Sequence, residues 1–172
     1  WSLSNAPTAQ PSDLSRFLAA LNSQESRFDP GPPITIARAH GRLDLMGGIA
    51  DYSVSLVLQM PRAVAAYAAL QPLDEPVVDV TSTLAGDIGD TPRVRFAIAD
   101  LAPASGPLPY AQARALFAEQ PQAHWGAYLA GALVVLHHRL GWRPERGLRI
   151  WLDSQVPVGK GVSSSAAIEV AG

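Results

Sequence analysis

Residues 156–172 read Val156-Pro157-Val158-Gly159-Lys160-Gly161-Val162-Ser163-Ser164-Ser165-Ala166-Ala167-Ile168-Glu169-Val170-Ala171-Gly172. Two glycines flank a lysine, three serines follow, and small and aliphatic residues then continue at helical spacing. Glycine opens backbone angles closed to other residues and lets a ligand approach the main chain. The serines are placed to cap the helix that begins there, whose first turn carries free N–H groups and a partial positive charge. A glycine loop feeding a helix N-terminus suits an anion, most often phosphate. Two common phosphate loops do not fit it. A P-loop needs Ser or Thr directly after its Gly-Lys pair, and here Gly161 follows Lys160. A dinucleotide fingerprint needs three glycines, the first tight against a strand. Gly159-x-Gly161-x-x-Ser164 supplies two, and residues 154–158, Pro157 among them, separate it from a strand expected to end near Asp153.

Composition narrows the partners. At 172 residues the chain has the size of about one domain and can bury a real core. A hydrophobic content of 48% with 16% charged residues reads as globular rather than disordered. A net charge of −2 makes no electrostatic case for nucleic acid or an anionic membrane, and neither is expected as a partner. The absence of cysteine excludes disulfides, thiolate metal sites and cysteine nucleophiles. The longest strongly apolar stretch, residues 126–136, is too short to span a bilayer. Residues 1–10 lack the basic start and apolar centre of a signal peptide, so a cytoplasmic location is expected. The chain begins on Trp1 and stops a few residues into the helix that the serines open, so a longer parent polypeptide is expected.

Taken in order, residues 1–33 read as a loose lead-in and one helix. In it Leu14, Phe17, Leu18 and Leu21 recur at helical spacing, and Ser12 or Asp13 is placed to cap. Pro30-Gly31-Pro32-Pro33 is a rigid break. Residues 34–172 then form one unit. Residues 34–39 alternate as a strand leading into Gly41. Residues 54–60 and 63–70 are two apolar runs separated by Pro61, the first more clearly β. Residues 77–82 and 93–98 read as paired strands, with Gly86-Asp87 and Gly89-Asp90 as turn residues between them. Val94, Phe96 and Ile98 share one face of the second strand; Arg93 and Arg95 share the other, expected to be solvated. Residues 111–119 form a short alanine-rich helix. Trp125, Leu129, Leu133, Leu136 and Leu140 stripe a longer one ending at Gly141. His137-His138 has no histidine or carboxylate at i+4, which argues against a metal role. Leu148, Ile150 and Leu152 alternate on a final strand that delivers the chain to the serine loop. This order predicts an α+β layer with a mixed or antiparallel sheet and helices packed on it.

Pro157-x-Gly159-x-Gly161-x-Ser163-Ser164-Ser165-Ala166-Ala167 resembles the ATP-binding motif of the GHMP kinases, in its sugar-kinase form. A second motif upstream extends the resemblance. Gly41-Arg42-Leu43-Asp44-Leu45-Met46-Gly47-Gly48-Ile49-Ala50-Asp51-Tyr52 is similar to the galactokinase signature Gly-Arg-Val-Asn-Leu-Ile-Gly-Glu-His-Thr-Asp-Tyr, with Gly41, Arg42, Leu45, Gly47, Asp51 and Tyr52 in register. Where galactokinases have Glu-His-Thr this chain has Gly48-Ile49-Ala50, and His40 stands where the family has proline. The whole motif, Gly41 to Tyr52, followed by Ser53-x-Ser55-Leu56-Val57-Leu58-Gln59-Met60-Pro61, most resembles the L-arabinokinases. An apolar segment suits a pentose, which has no exocyclic hydroxymethyl group to satisfy polar side chains.

The resemblance implies a GHMP-kinase N-terminal domain over residues 34–172, of the ribosomal-protein-S5-domain-2-like fold, with a ferredoxin-like C-terminal half absent from this chain and its natural partner. It implies an ATP- and Mg²⁺-dependent kinase acting on the anomeric hydroxyl of a monosaccharide, with L-arabinose giving L-arabinose 1-phosphate. Pro157, Gly159, Lys160, Gly161, Ser163, Ser164, Ser165 and Ala166 would then hold ATP, with Ser164 or Ser165 on Mg²⁺. Asp51, Tyr52 and Gly48 would face the sugar. Arg42 would stabilise charge between the anomeric oxygen and the γ-phosphate. Asp44 would close the loop around Gly47-Gly48. The family's catalytic aspartate falls beyond the serine motif, so residues 1–172 by themselves are expected not to catalyse. Galactokinase, a uronic-acid or heptose kinase, a non-catalytic sugar and nucleotide sensor and, more distantly, a Rossmann-type binder stay open as alternatives.

Overall fold

Period-two alternation along a long alanine-rich strand gives the sheet two buried faces. In this computed structural model, which describes residues 3–4, 10–24, 27–87, 90–119 and 121–172, that strand is β2, Leu58–Leu73. Its Ala66 and Ala68 belong to one core while Ala65, Tyr67 and Ala69 belong to another. The element order is α1 (Leu14–Ser23), β1 (Thr35–Met46), a 3₁₀ turn (Gly48–Ser53), β2, β3 (Val77–Ser82), α2 (Thr83–Asp87), β4 (Arg93–Ala97) and α3 (Ile98–Leu101). There follow α4 (Tyr110–Ala118), a 3₁₀ segment (Pro121–Gly126), α5 (Ala127–Leu140), β5 (Gly147–Ser154) and α6 (Ser164–Ala171). The sheet order is β1-β2-β5-β3-β4. Among the described strands β3 and β5 run parallel, and the other neighbours are antiparallel. The sheet is therefore mixed, as the order of elements predicted.

Two differences from the sequence reading concern β1 and β2. The first strand does not end before Gly41 but continues to Met46, with irregular register between His40 and Arg42 and again between Asp44 and Met46. The two apolar runs around Pro61 are one strand beginning at Leu58. Proline lacks the N–H that a strand with two neighbours needs. Pro61 pairs with Arg42 of β1 at the first irregularity, and β2 meets β5 only from Ala66 onward. Pro72 is paired with β5 beyond the last β1 pair, Thr35↔Leu70. Both prolines thus lie where β2 has a single partner.

α1 covers one face. Phe17 is fully buried and stacks on Tyr67 (centroids 4.4 Å apart) and on Trp151 (5.4 Å). Burying such a ring contributes roughly 1.5–3 kcal/mol. Asp13 holds the N-cap position yet makes no capping bond; its carboxylate is occupied by Arg38 and Tyr67 instead.

The other face carries the remaining helices over Val78, Val80, Ile150 and Leu152. Gly126 lets the entry to α5 sit on β4, since a Cβ there would lie 2.5 Å from Val94 Cγ2. The leucine stripe holds for Trp125, Leu129 and Leu133, but Leu136 and Leu140 are exposed and the buried face passes instead through Ala130, Val134 and His137. At about 100° per residue the buried positions centre between Leu133 and His137, which leaves Leu136 on the edge of the contact and Leu140 at the exposed C-terminal end of the helix. Between β3 and β4 the chain forms α2 rather than a tight turn; Gly89 of the expected turn lies outside the described residues. β4 ends at Ala97, and Ile98 is buried at the start of α3.

Candidate active site

The glycine loop and the Gly41-Arg42 segment lie against each other. The N–H of Arg42 donates to the carbonyl of Val162 at 3.1 Å. A Cβ on Gly41 would stand 2.9 Å from Val156 Cγ1 and 3.1 Å from Val162 O, so the contact requires glycine. The loop is held from below as well: Gln155 N–H donates to Ala65 O (3.0 Å), and Val156 is buried in the core. Gly159 and Gly161 both have left-handed backbone, φ +71° and +69°, with open space where a side chain would be.

Ser163 precedes α6 with left-handed φ of 58°, and its side chain makes no capping bond. The expected serine cap is therefore absent. No acceptor among the described residues takes the N–H groups of Ser164, Ser165 and Ala166, and the three serine hydroxyls have no hydrogen-bond partner there. The start of α6 thus offers free donors and a positive dipole end.

α6 has a hollow on either side of its first turn. The first, of about 240 Å³, lies between β1 and α6 and is lined by Arg38, His40, Arg42, Ser163, Ala166 and Val170 among others. Arg42 is part-exposed; its Nε is buried without a hydrogen bond and stands 3.8 Å from Asp44 Oδ1. Asp44 does not close the loop around Gly47-Gly48: it accepts from Gln59 Nε2 at 2.7 Å across the β1–β2 pair. The second hollow, of about 250 Å³, is mainly apolar and is lined by Leu84, Trp125, Tyr128, Val158 and Ile168, with Ser164 and Ser165 beside them. Trp125 is fixed there by donating Nε1–H to Thr91 O at 2.9 Å.

The structure thus brings Arg42, Ser163 and Ala166 to one hollow and turns Ser164 and Ser165 to the other. Pro157, Gly159, Lys160 and Gly161 form the exposed loop outside both. Gly48 opens the 3₁₀ turn after β1, and Asp51 and Tyr52 follow on it; the side chains of Asp51 and Tyr52 lie outside the described residues. Among the described residues no group of three His, Cys, Asp or Glu side chains could hold a metal by itself. The unspent serine hydroxyls fit Mg²⁺ as one protein oxygen ligand, with phosphate oxygens and water making up the rest.

Several lining residues escaped the sequence reading. Arg38 reaches the first hollow while bound to Asp13 (3.2 Å), Tyr67 Oη (3.1 Å) and Ala63 O (2.8 Å). Burial opposes ionisation of Asp13, but the hydrogen bonds from Arg38 and Tyr67 outweigh it and hold the carboxyl below its usual range. Burial, reinforced by the neighbouring Asp13 carboxylate, pushes Tyr67 up to about 12. Trp125 reads in sequence only as part of the helix stripe, and Tyr128 and Leu84 carry no signal there.

The mixed five-stranded sheet, with the glycine loop running into α6 and docked on the Gly41-Arg42 strand, has the fold of a GHMP-kinase N-terminal domain. Residues 127–172 match the family model described as the GHMP kinases N terminal domain. Within that class the similarity is to sugar kinases. It is 40% identical to the L-arabinokinase of Arabidopsis thaliana, over 80% of this chain and 15% of that protein. The galactokinase of Chloroflexus aggregans is 33% identical, over 92% of this chain and 34% of its own length. Lactococcus lactis galactokinase, solved in complex with galactose, shares the fold with a TM-score of 0.66 at 19% identity, covering 89% of this chain and 34% of that one. Methanococcus jannaschii mevalonate kinase follows at 0.56 and 14%, covering 83% and 38%. The chain thus spans about a third or less of the curated relatives named here.

Proposed function

We propose that this chain carries the nucleotide loop and sugar-facing segment of an ATP-dependent sugar-1-kinase, with L-arabinose as the acceptor and L-arabinose 1-phosphate as the product. The observation that carries the reading is the Arg42 N–H to Val162 O hydrogen bond, which sets the arginine of one motif beside the serines of the other. ATP phosphates lie along Gly159, Gly161 and the free N–H groups of Ser164, Ser165 and Ala166. The base of the nucleotide enters the apolar hollow beside Trp125 and Tyr128. Mg²⁺ accompanies the phosphates, and Ser164 or Ser165 supplies it a hydroxyl oxygen. Mg²⁺ neutralises phosphate charge when bound.

The anomeric hydroxyl oxygen attacks the γ-phosphorus as its proton passes to a base outside residues 1–172. The bond from the γ-phosphorus to the β–γ bridging oxygen breaks, ADP leaves, and negative charge moves across the transferring group. Arg42, at the rim of the first hollow, stabilises that charge from a position fixed before the reaction begins. Gly48, Asp51 and Tyr52 contact the sugar: Asp51 accepts from ring hydroxyls, and the apolar Gly48-Ile49-Ala50 segment excludes a hexose carrying a polar exocyclic group. Calorimetric titration of the chain with MgATP, L-arabinose and D-galactose tests the reading. Binding of MgATP together with a preference for L-arabinose is expected. Failure to bind either ligand would overturn it. Galactose is the second acceptor to weigh, because the galactokinase similarity extends over more of the chain than that to L-arabinokinase. Preferential binding of galactose would assign it.

A further inference from the structure

The face of the sheet under α1 carries a polar cavity that the kinase reading does not use. Strand register builds it in two rows. Arg149 of β5, Asp79 of β3 and Arg95 of β4 stand side by side, and in the next row Trp151, Thr81 and Arg93 do the same. Arg27 and Phe28, from the segment after α1, complete a cavity of about 270 Å³. Among the described residues three guanidinium groups (Arg27, Arg93 and Arg149) and one carboxylate, Asp79, line it, although the whole chain has a net charge of −2.

The described carboxylates around it are already engaged. Asp79 is buried and takes a fork from Arg93, Nε to Oδ1 at 2.9 Å and Nη2 to Oδ2 at 2.5 Å, with Arg95 3.7 Å away. Glu75 is engaged by Arg95, and Asp29 by Arg149 at 3.2 Å. Donors, in contrast, are left over. The Thr81 hydroxyl makes no hydrogen bond among the described residues. Trp151 is 2% exposed, and its indole Nε1 is buried with no acceptor among the described residues. A buried donor without a partner is uncommon in a folded chain. Guanidinium groups are planar forks suited to carboxylate and phosphate oxygens.

We propose that this cavity is a second ligand site, for a small oxoanion with at least two charges, of phosphate or dicarboxylate type. It lies on the opposite face of the sheet from α5 and α6 and stands independently of the kinase reading.

The indole N–H resonance of Trp151, assigned through the Trp151→Phe spectrum, reports on the site directly. Inorganic phosphate and malonate are titrated separately into the chain. A saturable shift of that resonance with either anion is expected, and the anion that acts identifies the head group. Arg27→Gln and Thr81→Val should each weaken the response, the former about 10-fold as a charged hydrogen-bond partner is lost. Gly161→Val, in the nucleotide loop, should leave it unchanged. No shift with either anion, or an affinity untouched by both Arg27→Gln and Thr81→Val, overturns the proposal.

Discussion

The main-chain N–H of Arg42 donates to the Val162 carbonyl at 3.1 Å, and Gly41 beside it leaves no room for a methyl group. The two motifs are therefore one object, since whatever separates them moves both. Gly41→Ala places its Cβ against Val156 and Val162, and overpacking of this kind costs roughly 1–3 kcal/mol. A loss of that size in urea denaturation is expected, together with weaker MgATP binding. Val156→Ala in the same chain removes the contact with Cγ1 but not that with the Val162 carbonyl, so it should restore only part of the stability.

Ser163 stands at φ 58° without a side-chain bond to justify the conformation. A residue other than glycine held there costs about 1 kcal/mol or more. Ser163→Gly should therefore keep or raise the denaturation midpoint, whereas Ser163→Val should lower it. A fall in stability with glycine would mean that the hydroxyl makes a contact worth more than the strain.

Local pattern carried much of this fold into view. Strands β3 and β5, helices α1 and α4, and the first turns of α5 follow from alternation or helical spacing in their own residues. What stayed hidden was long-range. Proline at position 61 reads as a break unless one knows that β2 has a single neighbour there. Asp13 reads as a cap, yet it is committed to Arg38 and Tyr67 on two different strands. In the site, the glycine–serine loop was legible because its chemistry is contiguous. The apolar hollow beside it was not, because Leu84, Trp125 and Ile168 converge from separate elements.

The Asp13–Arg38–Tyr67 cluster should give stability a dependence at both ends of the pH range. Asp13 is held below its ordinary value in the fold, so its contribution is present above the unfolded pKa of about 4 and is lost as pH falls through the folded one. Tyr67 is raised to about 12, so its contribution is complete below the ordinary tyrosine value of about 10 and is lost as pH rises toward the folded one. Asp13→Asn should flatten the acid limb of the stability curve and Tyr67→Phe the alkaline limb. Tyr67→Phe should also cost about 1 kcal/mol near neutrality for the hydrogen bond to Asp13. Unchanged limbs in both variants would show that other groups control the titration.

Arg42 separates a catalytic role from a structural one. Its backbone N–H ties the loops together and survives any side-chain substitution, while its guanidinium has a buried Nε that donates to no acceptor among the described residues. Arg42→Met should therefore leave the denaturation curve within about 0.5 kcal/mol of the parent, as for a surface change. In the sugar-kinase reaction it should lower kcat by about 100-fold, the scale on which one donor aimed at transition-state charge acts. KM should move far less, because an interaction realised only as charge develops does not strengthen ground-state binding. Arg42→Lys keeps the charge without the planar fork and should recover only part of the rate. Steady-state kinetics with MgATP and L-arabinose decide the matter, run on the longer parent polypeptide because residues 1–172 by themselves are expected not to catalyse. An unaltered kcat in Arg42→Met would confine the residue to its backbone role and would move the search for the charge-stabilising group to Arg38, the other guanidinium lining the same hollow.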